Sequence, residues 1–250
     1  MKYKFIPVNN DLNKAVAFAN TLDNNFIKKT QNINQNPFYI ESLDAVNLLR
    51  KEGWQLQGVA EQREKSRKIS SHFLQLHHPD LSILDNKGKT DSIASITIEN
   101  SCSGKKPLNI HLGVFRLVCS NGAVRKDTVA EQSIRHNQSN KLSLESFINK
   151  INNKSQIMLN EINKLKHQTL SNDEMRELAY KAAALRYSKD ELREVNLDDI
   201  LKTNRNEDEG NDVWSVFNRI QESLTHDISN FNEDIRLNKQ IYSLTEQYVH

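Results

Sequence analysis

At 250 residues the chain can bury a core without disulfides or metal, and its formal net charge of +2 excludes a polycation of the histone kind, so any nucleic-acid site must be local. No apolar run approaches the ~18 to 20 residues that span a bilayer, and the opening Met1-Lys2-Tyr3-Lys4-Phe5-Ile6-Pro7 lacks a secretory apolar region, which predicts a chain with no membrane segment. Two cysteines, Cys102 and Cys119, in such a chain point to a reduced, cytoplasmic setting.

Leu12, Ala15, Val16, Ala19 and Leu22 recur at helical spacing and predict a helix over 11–22, followed by a polar loop over 30–37. Ser42 reads as the N-cap of a second helix carrying Leu43, Val46 and Leu49, with Gly53 closing it at C′. From Trp54 the period changes to two. Strands are predicted over 54–62, over 69–77 with His78-Pro79-Asp80 as its end, over 93–99, and over 108–119 up to the turn dipeptide Asn121-Gly122. Four strands on short connections predict an antiparallel meander.

Past Arg135-His136 the helical period returns. Leu144, Phe147, Ile148, Ile151, Ser155, Met158, Leu159, Ile162 and Leu165 share one face of a single long helix. Ser171 with Glu174, and Ser188 with Glu191, have the capping-box spacing and mark two more helix starts. The acidic segment 206–212 reads as a solvated loop, before helices opening near Val213 and at Glu233. The expected class is α+β: a four-stranded antiparallel meander in the central third, followed by a helical C-terminal half. The expected division is 1–140, N-terminal helices plus sheet, and 141–250, a helical region packed on the sheet as one unit.

Charge is unevenly placed. Between Arg63 and Lys141 there are 13 Lys or Arg against 7 Asp or Glu, so the sheet region is basic and the remainder acidic. Arg63, Lys65, Arg67 and Lys68 crowd one hairpin turn, Lys105 and Lys106 another, and Arg116, Arg125 and Lys126 flank the fourth strand. Such cations track a phosphate backbone by releasing its condensed counterions, although hairpin tips are also where solvated charges ordinarily go. Trp54, Phe73 and Phe115 sit among aliphatic residues and read as core rather than as stacking platforms for bases.

No catalytic, metal or cofactor site is expected. Cys102, Cys119, His111 and His136 offer zinc-ligand types, but no Cys-x-x-Cys or His-x₃-His pair fixes them locally. There is no Gly-x-Ser-x-Gly elbow, phosphate loop or His-Glu-x-x-His, and Asp198-Asp199 and Glu207-Asp208-Glu209 read as solvated acids.

The runs Glu99-Asn100-Ser101-Cys102-Ser103-Gly104 and Gly113-Val114-Phe115-Arg116-Leu117-Val118-Cys119-Ser120-Asn121-Gly122, with Asp212-Val213-Trp214-Ser215-Val216-Phe217-Asn218 further on, resemble the phage- and plasmid-encoded family called domain of unknown function 932. The resemblance covers about Ser42 to the end. Where such proteins often read Ser-His-Asp-Gly, this chain has Ser101-Cys102-Ser103-Gly104, which argues against a metal or acid–base role at that turn. A meander followed by a long helix is also similar, at the level of fold, to single-strand annealing proteins of the Rad52 and RecT kind. Together these imply a non-enzymatic DNA-binding protein of a phage or plasmid, binding or annealing single strands or assisting recombination, as a homo-oligomer. The alternative is an anti-defence or regulatory factor that binds a host protein, or a virion-associated protein.

Overall fold

The computed structural model describes residues 5–19, 22, 38–63, 69–84, 88–101, 106–116, 127–137, 141–228 and 231–248. Asp11 caps the first helix, α1 (Leu12–Phe18), accepting from the backbone N–H groups of Asn13 and Lys14 at 2.9 and 3.1 Å. The second helix, α2 (Ser42–Lys51), buries Ala45, Val46 and Leu49. Its N-cap is Glu41, which makes no side-chain cap, so the expected capping role of Ser42 is not met. The Ser42 hydroxyl is instead committed to the sheet, as described below. Gly53 ends the helix for two reasons: its φ is +93°, and a Cβ there would meet Nε2 of His78 at 2.6 Å.

The sheet has six strands in the order of the chain, β1 (Ile6–Pro7), β2 (Gln55–Arg63), β3 (Ile69–Leu84), β4 (Thr90–Ser101), β5 (Leu108–Arg116) and β6 (Asp127–Ile134). The four interfaces from β1 to β5 are antiparallel. The meander is therefore correct and the count of four is not. A two-residue strand ending in proline shows no period to read, and β1 is held by pairing Ile6 with Val59 and Pro7 with Gly58. Gly58 permits that approach, since a Cβ there would lie 3.0 Å from Phe5.

The strand β3 also outruns its expected end at His78-Pro79-Asp80. Its register on β4 slips between His77 and Ser82, so proline, which has no N–H to give a ladder, occupies an irregularity rather than a paired position. The register then sorts the two faces. Leu74, Leu76, Ala94, Ile96, Ile98, Ile110, Leu112 and Val114 share one face and are buried. Their strand neighbours Gln75, Ser95, Thr97, Glu99 and His111, on the other face, are polar and buried as well.

The chain divides into two compact units, Tyr3–Arg125 with Ala130–Ile157, and Met158–His250 with Met1–Lys2 and Lys126–Val129. In the first, α3 (Lys141–Ile148) is followed by α4 (Ile151–His167), whose later turns belong to the second. The single long helix expected over this stretch is thus broken at Asn149-Lys150, where Lys150 N–H turns back to the Phe147 carbonyl, an i to i−3 bond that tightens the end of α3.

Helices α5 (Asn172–Arg186), α6 (Lys189–Glu194), α7 (Leu197–Leu201), α8 (Val213–Thr225) and α9 (Phe231–Thr245) complete the second unit. Both predicted capping boxes form, at Ser171 with Glu174 and at Ser188 with Glu191. The core is Met175, Leu178, Ala182, Trp214, Phe217, Ile220 and Ile241, with Trp214 stacked on Phe217 at 5.4 Å. Segment 206–212 keeps its solvated reading at Asn206, Glu207, Glu209, Gly210 and Asn211, which are exposed, and departs from it at Asp208. Asn206–Asp208 is a turn of 3₁₀ helix and Asp208 is 1% exposed, in the field of the buried Arg219. That guanidinium donates to the carbonyls of Gly210 and Leu201 at 3.0 and 3.3 Å, so a charged loop is folded over a cation. No helix among the described residues is long and apolar enough to cross a membrane.

Candidate nucleic-acid interface at one end of the sheet

Antiparallel order decides which turns are neighbours. The connections β2–β3 and β4–β5 leave the same end of the sheet, where Arg63 pairs with Ile69 and Ser71 with Ser101. Arg63 and Lys106 are therefore at one end, Lys106 exposed and with its N–H donating to Ser101 Oγ at 3.3 Å. Arg116 pairs with Ser92, at the other end. Nine residue steps of β4 separate Ser92 from Ser101, about 30 Å at the usual strand rise. Lys65, Arg67, Lys68, Lys105, Arg125 and Lys126 lie outside the described residues; in sequence the first three fall between Arg63 and Ile69, Lys105 precedes Lys106, and the last two follow Arg116. Of the nine candidate cations the structure thus describes three, Arg63 and Lys106 at one end of the sheet and Arg116 at the other.

A buried polar cluster lies at the end that holds Arg63 and Lys106. Ser42 Oγ is 2.6 Å from His72 Nε2 and accepts from the Asn100 amide at 2.9 Å. The same amide donates to the Ile40 carbonyl, while Ile40 N–H donates to His136 Nδ1, both at 3.0 Å. That bond fixes the neutral His136 with its proton on Nε2. Its ring stacks on Tyr39 at 4.7 Å, and the Tyr39 hydroxyl donates to the Ser101 carbonyl at 3.1 Å. Segment 39–42, the ends of β3 and β4, and residues just past β6 are tied together in this way.

Electrostatics follow from burial. Desolvation pushes His72 down to about 4, so at neutral pH one proton lies on the short contact with Ser42. Burial also lowers the pKa of His136, opposed by a backbone hydrogen bond at Lys106. A serine–histidine contact has the form of a nucleophile and its base. Here Ser42 is 4% and His72 1% exposed, and the hydroxyl is already engaged by Asn100. The cluster is buried structure beside the exposed Lys106; among the described residues no group of three His, Cys, Asp or Glu could hold a metal ion.

Sequence reasoning missed this cluster although a signal was present. His72 lies in phase with Leu74 and Leu76, and Asn100 with Ile96 and Ile98, so each is a polar residue on an otherwise apolar face and requires a partner. Of the aromatics, Trp54 and Phe73 are core, as expected, and Phe115 is half-buried against His77. Trp54 Nε1 donates to Asn152 at 2.8 Å, at the end of the sheet away from this cluster. The two cysteines lie outside the described residues.

Residues 36–244 match the family described as Domain of unknown function (DUF932). The chain belongs to that family. It is also similar to two proteins of Escherichia coli (strain K12), the UPF0380 proteins YafZ and YfjQ, each 22% identical over 234 and 227 residues respectively and covering 83% of this chain and 81% of the relative. No solved structure matches it. The family is of unknown function, so the match fixes kinship and leaves activity to the chemistry of the site.

Proposed function

We propose that this DUF932 protein binds a nucleic-acid strand, single-stranded DNA above all, along the basic end of its sheet. It acts without catalysis, as a homo-oligomer that serves strand annealing or recombination for a phage or plasmid. The observation that carries the reading is strand order: Arg63 and Lys106, 43 positions apart in sequence, lie at the same end of one sheet, and Lys65, Arg67, Lys68 and Lys105 are their neighbours in sequence. Phosphates spaced along a strand are met by cations spaced along a sheet edge, and the buried cluster beneath keeps that edge in one geometry. Arg116, at the other end and about 30 Å away by strand rise, lies several screening lengths off and acts separately.

The test is fluorescence anisotropy of labelled single-stranded and duplex oligonucleotides across a salt series. Six phosphate contacts on a single strand give a log–log slope of about −4, with single strands preferred. Arg67→Glu with Lys68→Glu abolishes binding, whereas Arg116→Glu changes it little. Salt-independent binding, or none at low salt, overturns the proposal and turns attention to a protein partner.

A further inference from the structure

The polar face of the sheet poses a separate question. Direct cross-strand pairs place Gln75 beside Thr97 and Thr97 beside His111, then His77 beside Ser95 and Ser95 beside Gly113. Ser71, Gln75, Ser95 and Thr97 are each at least nine-tenths buried. Yet Ser71 Oγ, Gln75 Nε2, His77 Nε2, Ser95 Oγ and Thr97 Oγ1 find no hydrogen-bond partner among the described residues. One such atom is an accident of packing. Five on one face of adjacent strands are an array, and each buried polar group left unpaired costs about 1–3 kcal/mol.

The chemistry of the array selects its occupant. Hydroxyls, a carboxamide and an imidazole both give and accept hydrogen bonds, as the edge of a heteroaromatic ring does. Burial pushes His77 down to about 4, so it is neutral and adds no charge. No Lys or Arg side chain described on this face would meet a phosphate, and the Glu99 carboxylate, 3.4 Å from the Asn109 amide, would repel one. Gly113 contributes no side chain between His111 and Phe115, and the Phe115 ring stacks on His77 at 4.6 Å, supplying an aromatic plane at the border of the array.

We propose that the polar face of β3, β4 and β5 binds an uncharged heteroaromatic ring of the nucleobase class, its edge held by Gln75, Ser95 and Thr97 and its face against Phe115. Nucleosides without phosphate are the probe, because they offer nothing to the basic end of the sheet. Adenosine, cytidine, guanosine and thymidine are each titrated into the full chain by calorimetry and by thermal melting. One of them is expected to bind and raise the melting temperature. Thr97→Val, which keeps the shape of the side chain, is expected to weaken that binding about tenfold. Ser95→Ala gives a second readout should Thr97→Val fail to fold. The proposal is overturned if no nucleoside binds at millimolar concentration, or if both variants bind as the parent does. Either result leaves the salt-dependent binding of oligonucleotides untouched, so the two readings fail separately.

Discussion

Residues 1–157 carry 22 Lys or Arg against 14 Asp or Glu, and residues 158–250 carry 12 against 18. The near-neutral total conceals a basic sheet half and an acidic helical half. The two halves also differ in how their polar groups are arranged. In the helical half Arg219 finds the Gly210 and Leu201 carbonyls and the Thr203 hydroxyl, and both capping boxes close on themselves within four residues, while Trp214 Nε1, Arg219 Nε and Asn238 Oδ1 are buried at scattered positions with no hydrogen-bond partner among the described residues. In the sheet half the partners are distant in sequence, as Ser42 is from Asn100, or are not supplied by the described protein at all, as on the face that carries Gln75 and Thr97. What sets the sheet half apart is concentration: five such atoms gather on one face of adjacent strands, and that is where a ligand is to be sought.

The largest expected effect tests how Arg219 holds its loop in the helical half. Arg219→Met strands the buried Asp208 without its cation and leaves the Gly210 and Leu201 carbonyls without their donor, at a cost of about 3–5 kcal/mol in denaturant unfolding. A loss below about 1 kcal/mol would mean that segment 202–212 is held by something else.

Next comes pH, which probes the sheet half. The folded His72 titrates near 4 and its unfolded counterpart near 6.5, so between these values the unfolded chain takes up a proton that the folded chain refuses. The stability contributed is full above pH 6.5 and is lost as pH falls towards 4, about 3 kcal/mol in all, with His77 adding a loss of the same sign. Unfolding midpoints measured at pH 7 and near the lower value should show this loss, reduced in His72→Gln. An equal loss in the variant would assign it to other groups.

The smallest effect refines the contrast within the helical half itself. Ser171→Ala removes the cap of α5, a helix that buries Met175, Leu178 and Ala182, and should cost about 1 kcal/mol. Ser188→Ala removes the same motif from α6, which buries nothing, and should cost less by thermal melting. Equal losses would show that the cap, not the packing behind it, sets the value.

Local chemistry was legible in the chain. The two Ser-x-x-Glu boxes, the Gly53 stop, the alternating strands and the apolar stripes of Val213 to Leu224 follow from hydrogen bonds and periods that span a few residues, and each took the form its residues dictate. What the chain did not reveal needed a second strand. Two-residue β1 has no period of its own, β3 passes through Pro79 because β4 tolerates a slip in register, and Asp208 is buried because Arg219 folds beneath its loop. Sequence by itself determined the class of the fold, the two capping-box helix starts, the Gly53 stop and the basic character of the sheet half. Only tertiary structure decided that Ser42 serves His72 and Asn100 rather than a helix start, and that Arg63 and Lys106 share an end of the sheet which Arg116 does not. The reason is physical: caps and periods are fixed by neighbours in the chain, whereas burial and strand order are fixed by neighbours in space.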